Sequence, residues 1–160
     1  MRILLVNKYF NMHGGSETYF FGLAELLQKA GHEVIFFAMQ DEKNLACKQS
    51  EYFVSNVEFN GNLTLTQKIK AALHMVYSFE AKNKISALIE KEKPDIVHIN
   101  LFHRVFTASI VDAAKKYDLP VVFTMHDLNC ICPNHVMLDH GEICEDCLHG
   151  NYLNCIKRVC

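Results

Sequence analysis

The run Ile3 to Val6 is aliphatic at every position, the pattern of a strand covered on both faces, and the polar loop Asn7 to Gly15 follows it. From Ser16, a residue able to cap a helix, Phe20, Leu23, Leu27 and Ala30 fall on one side at helical spacing until Gly31 ends the pattern. Val34 to Ala38 reads as the next strand. The stretch Asp41 to Asn62 is polar and irregular, with a short strand expected near Tyr52 to Val54. Leu65, Ile69, Leu73, Val76 and Phe79, then Ile85, Leu88 and Ile89, describe an amphipathic helix that Pro94 stops, with Lys82 to Lys84 marking a kink or a break into two helices. Asp95 to Ile99 is a strand, Thr107 to Tyr117 a helix and Val121 to Thr124 a last strand. Strands alternating with helices in this order predict an α/β fold: a doubly wound, mostly parallel sheet.

Composition narrows the function classes. The chain has 160 residues, half of them apolar, and a formal net charge of -2, so it is neither a disordered segment nor a basic nucleic-acid binder. Its N-terminal apolar run is too short for a signal peptide, and no stretch reaches the roughly 18 apolar residues of a membrane span. A cytoplasmic protein is expected, with peripheral contact at the cytoplasmic membrane face left open.

In such sheets ligands gather at the carboxyl ends of the strands. Three polar segments fall there: NKYFNMHGGSE, HINLFHR and TMHDLNC. In the first, Gly14 and Gly15 let backbone approach a ligand, and the N–H groups of the helix that begins at Ser16 favour a phosphate; the plainer reading is a tight turn needing positive φ, and spacing leaves both open. His13 and Glu17 of this loop are candidate substrate contacts. In the second, His98 within the strand reads first as a hydrogen-bonded core histidine, whereas Asn100, His103 and Arg104 just beyond it are better placed to touch a substrate. In the third, His126 would project into the crevice and could hydrogen-bond a sugar hydroxyl or carry a proton. Asp127 could fix its tautomer or cap the next turn.

MRILLVNKYF, GGSETYFFGLAELLQKAGHEV, KPDIVHIN and LPVVFTMHD, in this order, resemble the N-terminal domain of the family 4 glycosyltransferases, retaining nucleotide-sugar enzymes of the GT-B fold. The resemblance implies that Gly14, Gly15 and Ser16 lie beside the donor diphosphate and that His126, with Asp127, reaches the transferred sugar. It implies a nucleotide-diphosphate sugar as donor and a carbohydrate, glycan or lipid-linked hydroxyl as acceptor. There are two departures. The family often has a second histidine two residues after the match to His98, where this chain has Asn100. Such enzymes also carry a second Rossmann-like domain with a paired-glutamate motif, so residues 1–160 are expected to be an incomplete acceptor-side domain, inactive alone.

Six of the seven cysteines lie between Cys130 and Cys160, which argues against a disulfide scaffold spread through the chain. They are expected to form a cysteine-rich insert over residues 130–160. The C-x2-C pair Cys144 and Cys147, joined by Cys132 and Cys155, has the ligand types of a structural zinc site; free thiols or disulfides remain open, since six cysteines allow fifteen pairings. An alternative function follows: a zinc-binding adaptor or protein-interaction module whose working surface is this ribbon. It is acidic around the cysteines, which excludes nucleic acid. A thiol oxidoreductase ranks last, because C-x2-C here follows HGEI in a loop instead of opening a helix.

Overall fold

The computed structural model describes residues 1–56, 64, 76–103 and 105–158. It divides into two compact units, Met1–Thr124 and Met125–Cys160.

The first unit is built on four parallel strands: β1 (Arg2–Asn7), β2 (Glu33–Phe37), β3 (Ile96–Leu101) and β4 (Val121–Phe123), in the order β2-β1-β3-β4. Between them run α1 (Gly15–Lys29), α2 (Phe79–Glu92) and α3 (Ser109–Lys116). Alternation along β1 decides which helix covers which face. Ile3 and Leu5 join Phe20 and Ala24 of α1 in one apolar cluster. Leu4 and Val6 join Ile85 and Leu88 of α2 and Ile110 and Ala113 of α3 in another. A strand buried on both sides needs no polar alternation, which is why Ile3 to Val6 is uniformly aliphatic. The sheet is doubly wound and Rossmann-like.

Most predicted elements are present, with shifted ends. α1 starts at Gly15 with Gly14 as its N-cap residue, and no side chain caps it. Ser16 therefore lies inside the first turn and cannot cap; its hydroxyl donates to Glu17 Oε1 at 3.0 Å. The helix ending in Glu92 runs without a break through Lys82 to Lys84, because those positions face away from the buried stripe of Ala81, Ile85, Leu88 and Ile89. Its start is set by Ser78, whose Oγ accepts from the Ala81 amide at 3.2 Å. Lys93 then adopts a left-handed conformation (φ 48°) ahead of Pro94. The strand expected at Tyr52 to Val54 is instead a 3-10 turn over Ser50–Tyr52 followed by a single parallel bridge from Val54 to Met39. The stripe at Leu65, Ile69 and Leu73 lies outside the described residues.

The second unit holds a two-residue antiparallel hairpin, β5 (Leu138–Asp139) with β6 (Glu142–Ile143), and the short α4 (Leu153–Arg158). His140 and Gly141 both have positive φ, at 51° and 87°, as a tight two-residue hairpin turn requires. Cys144 and Cys147 follow β6 in a turn, consistent with the loop expected there.

Candidate functional site

Because all four strands are parallel, the segments after β1, β3 and β4 leave the sheet at one edge. β1 is the switch point: α1, following it, packs on one face, while α3, following the neighbouring β3, packs on the other. The connections therefore diverge between β1 and β3, the position at which sheets of this kind hold ligands at the carboxyl ends of their strands.

Two buried asparagines mark that position. Asn7, the last residue of β1, is fully buried. Its Nδ2 donates to the Tyr9 carbonyl at 2.9 Å and to Glu17 Oε1 at 3.0 Å, and its Oδ1 has no hydrogen-bond partner among the described residues. Both Nδ2 partners are acceptors, so the amide orientation is fixed. Asn100, also buried, is the extra residue of a bulge: Val6 pairs with Ile99 but Asn7 with Leu101. Bulges re-aim side chains where pairing ends.

Gly14 and Gly15 are exposed, and neither has positive φ; Gly14 is extended at φ -166°. The tight-turn explanation of the pair thus fails. A methyl group built on Gly15 would meet nothing within 4 Å, whereas one on Gly14 would touch Glu17 Oε2 at 3.6 Å. The N-terminus of α1 consequently presents its first turn with no side-chain cap and with open space over Gly15. That is the arrangement in which backbone N–H groups and the positive helix end receive an anion.

Glu17, 1% exposed, is directed inward and accepts from Asn7 and Ser16, bracing the end of β1 to the start of α1. Replacing Glu17 by alanine is expected to lower stability by about 1–3 kcal/mol, because it strands a buried donor. Glu17→Gln, which keeps an acceptor, should cost less than half as much; equal urea midpoints for the two variants would refute the bracing role.

His13 is exposed and stacked on Tyr9, with centroids 4.4 Å apart and planes inclined by 22°, and Lys8 Nζ lies 4.7 Å from the Tyr9 ring centroid. Lys8 was not singled out from the sequence, where a lone lysine after a strand carries no signal. His98 Nε2 lies 2.8 Å from Thr124 Oγ1, a bond that ties β3 to the end of β4, in keeping with a core histidine. His103 packs by Phe102, 4.4 Å between centroids. Arg104 lies outside the described residues.

His126 and Asp127 belong to the second unit. His126 is exposed in a bend. Asp127 accepts from the Asn129 backbone amide at 3.0 Å and from its side chain at 2.9 Å, the turn-capping role. Burial, reinforced by the Asp127 charge, pushes the Cys130 thiol above its ordinary value. Cys132, Cys144, Cys147 and Cys155 all line one cavity in this unit. No group of three or more His, Cys, Asp or Glu side chains among the described residues is arranged to hold a metal ion.

The family model described as Glycosyltransferase Family 4 matches residues 13–139. The chain belongs to glycosyltransferase family 4. The match takes in the glycine pair, the bulged strand β3 and the His126–Asp127 turn of this family 4 domain, and it extends as far as the first strand of the hairpin. No curated protein matches the sequence. Membership implies a transferase-type function with a sugar or glycan acceptor. Among the described residues no helix is long and apolar enough to cross a membrane.

Proposed function

We propose that this chain is the acceptor-side domain of a retaining glycosyltransferase that moves a sugar from a nucleotide-diphosphate donor to an acceptor hydroxyl. The observation that carries the reading is the α1 N-terminus, uncapped by any side chain and open above Gly15, in a segment covered by the family match. In this reading the donor diphosphate rests on the backbone N–H groups of Gly14, Gly15 and Ser16, with the helix dipole offsetting part of its charge. His13 and Lys8 border the same loop as candidate polar contacts, and Asn100 and His103 border the next as candidate acceptor contacts. His126 serves the transferred sugar, as the family resemblance implies, with Asp127 holding the turn that carries it. Most of the positive charge needed by the leaving diphosphate comes from a second, nucleotide-binding domain. The acceptor is a glycan or a lipid-linked carbohydrate, met in the cytoplasm or at the cytoplasmic membrane face.

Titration of nucleoside diphosphates into wild-type chain and into Gly15→Val tests this reading. The substitution points into open space, so stability should change by less than about 1 kcal/mol. Filling the space above the amides should remove one or two charge-assisted hydrogen bonds of about 1.5–3 kcal/mol each, and so weaken diphosphate affinity at least tenfold. Unchanged affinity in a folded variant, or no binding by the wild type at any accessible concentration, would overturn the diphosphate role.

A further inference from the structure

The segment NKYFNMHGGSE, which joins β1 to α1, sorts its charges by direction. Glu17, its one carboxylate, is turned inward at 1% exposure and is taken up by Asn7 and Ser16. Lys8 is half-buried, and its ammonium makes no ion pair or hydrogen bond among the described residues; its one contact is with the Tyr9 ring. Lys29, Lys84 and Lys91, by contrast, are matched to Glu25, Glu80 and Glu51. Lys8 therefore brings a positive charge to the carboxyl end of β1 with no carboxylate to meet it.

That charge stands on a fixed base. The Lys8 carbonyl accepts from the Met39 amide at 3.0 Å, the Tyr9 carbonyl from Asn7 Nδ2 at 2.9 Å and the Phe10 carbonyl from the Leu45 amide at 3.0 Å. Phe10 is itself 3% exposed and packs in the cluster that holds α1 to the sheet. Three successive residues are thus tied down by their backbone. The Tyr9 ring packs partly against the core; the exposed His13 imidazole stacks on it at 4.4 Å between centroids, and Lys8 Nζ lies 4.7 Å from the same centroid. Attraction to the ring limits the rotamers of a side chain that otherwise roams. Cation, phenol and imidazole form a preorganised patch at the end of the sheet where ligands gather. In the proposed reading the donor diphosphate is held by the backbone amides of Gly14, Gly15 and Ser16, a contact that requires none of these three side chains.

We propose that Lys8 selects the acceptor: the sugar that receives the transferred residue carries an anionic group, carboxylate or phosphate, which the Lys8 ammonium binds while His13 meets the sugar ring beside it. The inference rests on the transferase reading for calling this substrate the acceptor. Either anion accepts stronger hydrogen bonds from an ammonium than a neutral hydroxyl does. A neutral sugar in the same place would leave a half-buried ammonium partly desolvated and unmatched, so the contact disfavours neutral acceptors as well as favouring charged ones. His13 offers a flat face for the apolar side of a sugar ring and ring nitrogens for its hydroxyls. Tyr9, anchored below, keeps both neighbours in position.

The test is titration of glucose, glucuronate and glucose-6-phosphate into the wild-type chain and its variants, followed by nuclear magnetic resonance, with a nucleoside diphosphate titrated in parallel. At least one charged sugar should bind about tenfold or more tightly than glucose, and the ratio should shrink as ionic strength rises. The carboxylate and phosphate arms identify which anion the site prefers. Lys8→Met keeps an aliphatic stem beside Tyr9 and removes the charge; it should cancel the preference and leave glucose and nucleoside diphosphate affinities within about threefold of wild type. Lys29→Met, which loses only its pairing with Glu25, should keep the preference. Gly15→Val should do the reverse of Lys8→Met, weakening nucleoside diphosphate and sparing the charged sugar. Equal affinity for the three sugars, no binding of any of them, a preference that survives Lys8→Met, or a Lys8→Met variant that loses nucleoside diphosphate as strongly as sugar would each overturn the proposal. Should nucleoside diphosphate fail to bind the wild type while the charged-sugar preference depends on Lys8, the transferase reading falls and the anionic-sugar site stands.

Discussion

His126→Ala is expected to lower sugar transfer by about two to four orders of magnitude, the range over which a positioned proton-transfer or hydrogen-bonding side chain contributes at a reacting centre. The imidazole is exposed and lies in a short turn pinned by Asp127, so its removal leaves no cavity. Stability should therefore change little while the rate falls, and the fall should appear mostly in kcat if the contact strengthens in the transition state. His126→Gln separates the two chemical roles. A glutamine amide can still donate to a sugar hydroxyl but cannot carry a proton, so recovery of most of the rate would assign hydrogen bonding, and none would assign proton transfer. The measurement is the initial rate of nucleoside diphosphate release from the cognate nucleotide sugar in the presence of acceptor, made on the enzyme that includes the nucleotide-binding domain the proposed reading requires. A rate within threefold of wild type in the alanine variant would remove His126 from the site.

Phe20→Ala is expected to cost about 3–5 kcal/mol of folding stability, a large fraction of the roughly 5–15 kcal/mol that holds an ordinary domain together. Phe20 is fully buried and meets three other rings, Phe10, Phe21 and Phe36, at centroid distances of 6.2, 5.2 and 5.8 Å in edge-on geometry. Truncation removes both the buried ring area and these contacts, and the surrounding β1 and β2 side chains cannot collapse fully into the space. The same ring sits one turn beyond Glu17 and presses α1 to the sheet, so nucleoside diphosphate affinity should fall along with stability. Urea unfolding followed by far-UV circular dichroism gives the magnitude; a shift of less than 1 kcal/mol would mean that α1 is held by something other than this aromatic cluster.

The two variants differ in how visible their targets are in the sequence. Phe20 is legible because helical spacing from Phe20 to Leu27 meets a strand run that must be covered on both faces, and either pattern alone would place the ring inside. The same logic recovers all four strands of the parallel sheet. The glycine pair is legible by position alone; that it serves open space and not a left-handed turn requires φ and the surrounding atoms. Asn7, the Asn100 bulge and the inward turn of Glu17 are beyond sequence reasoning for a common reason. Each depends on how two segments distant in the chain come into register, and a polar residue at the end of an apolar run looks the same whether it faces water or a neighbour. Ser16 misleads because serine before an apolar stripe is a normal cap, yet here the helix begins one residue earlier and Glu17 takes the hydroxyl. In the second unit the hairpin has only two residues per strand, too few to register as alternation, and the His140–Gly141 pair is the one local sign of it.

The strand order has a consequence for biogenesis. β1 is flanked by β2 and β3, and while β2 follows it closely, the pairing with β3 joins Ile3 to Ile96, 93 residues along the chain. During synthesis the β1–α1–β2 segment therefore emerges with the inner margin of β1 bare, exposing the amides and carbonyls of an aliphatic strand until β3 arrives. Long-range parallel pairing of this kind closes slowly, and a bare strand margin recruits like strands from other nascent chains. Yield in a heterologous host should accordingly respond more to slowed translation or holding chaperones than to any change in the finished fold.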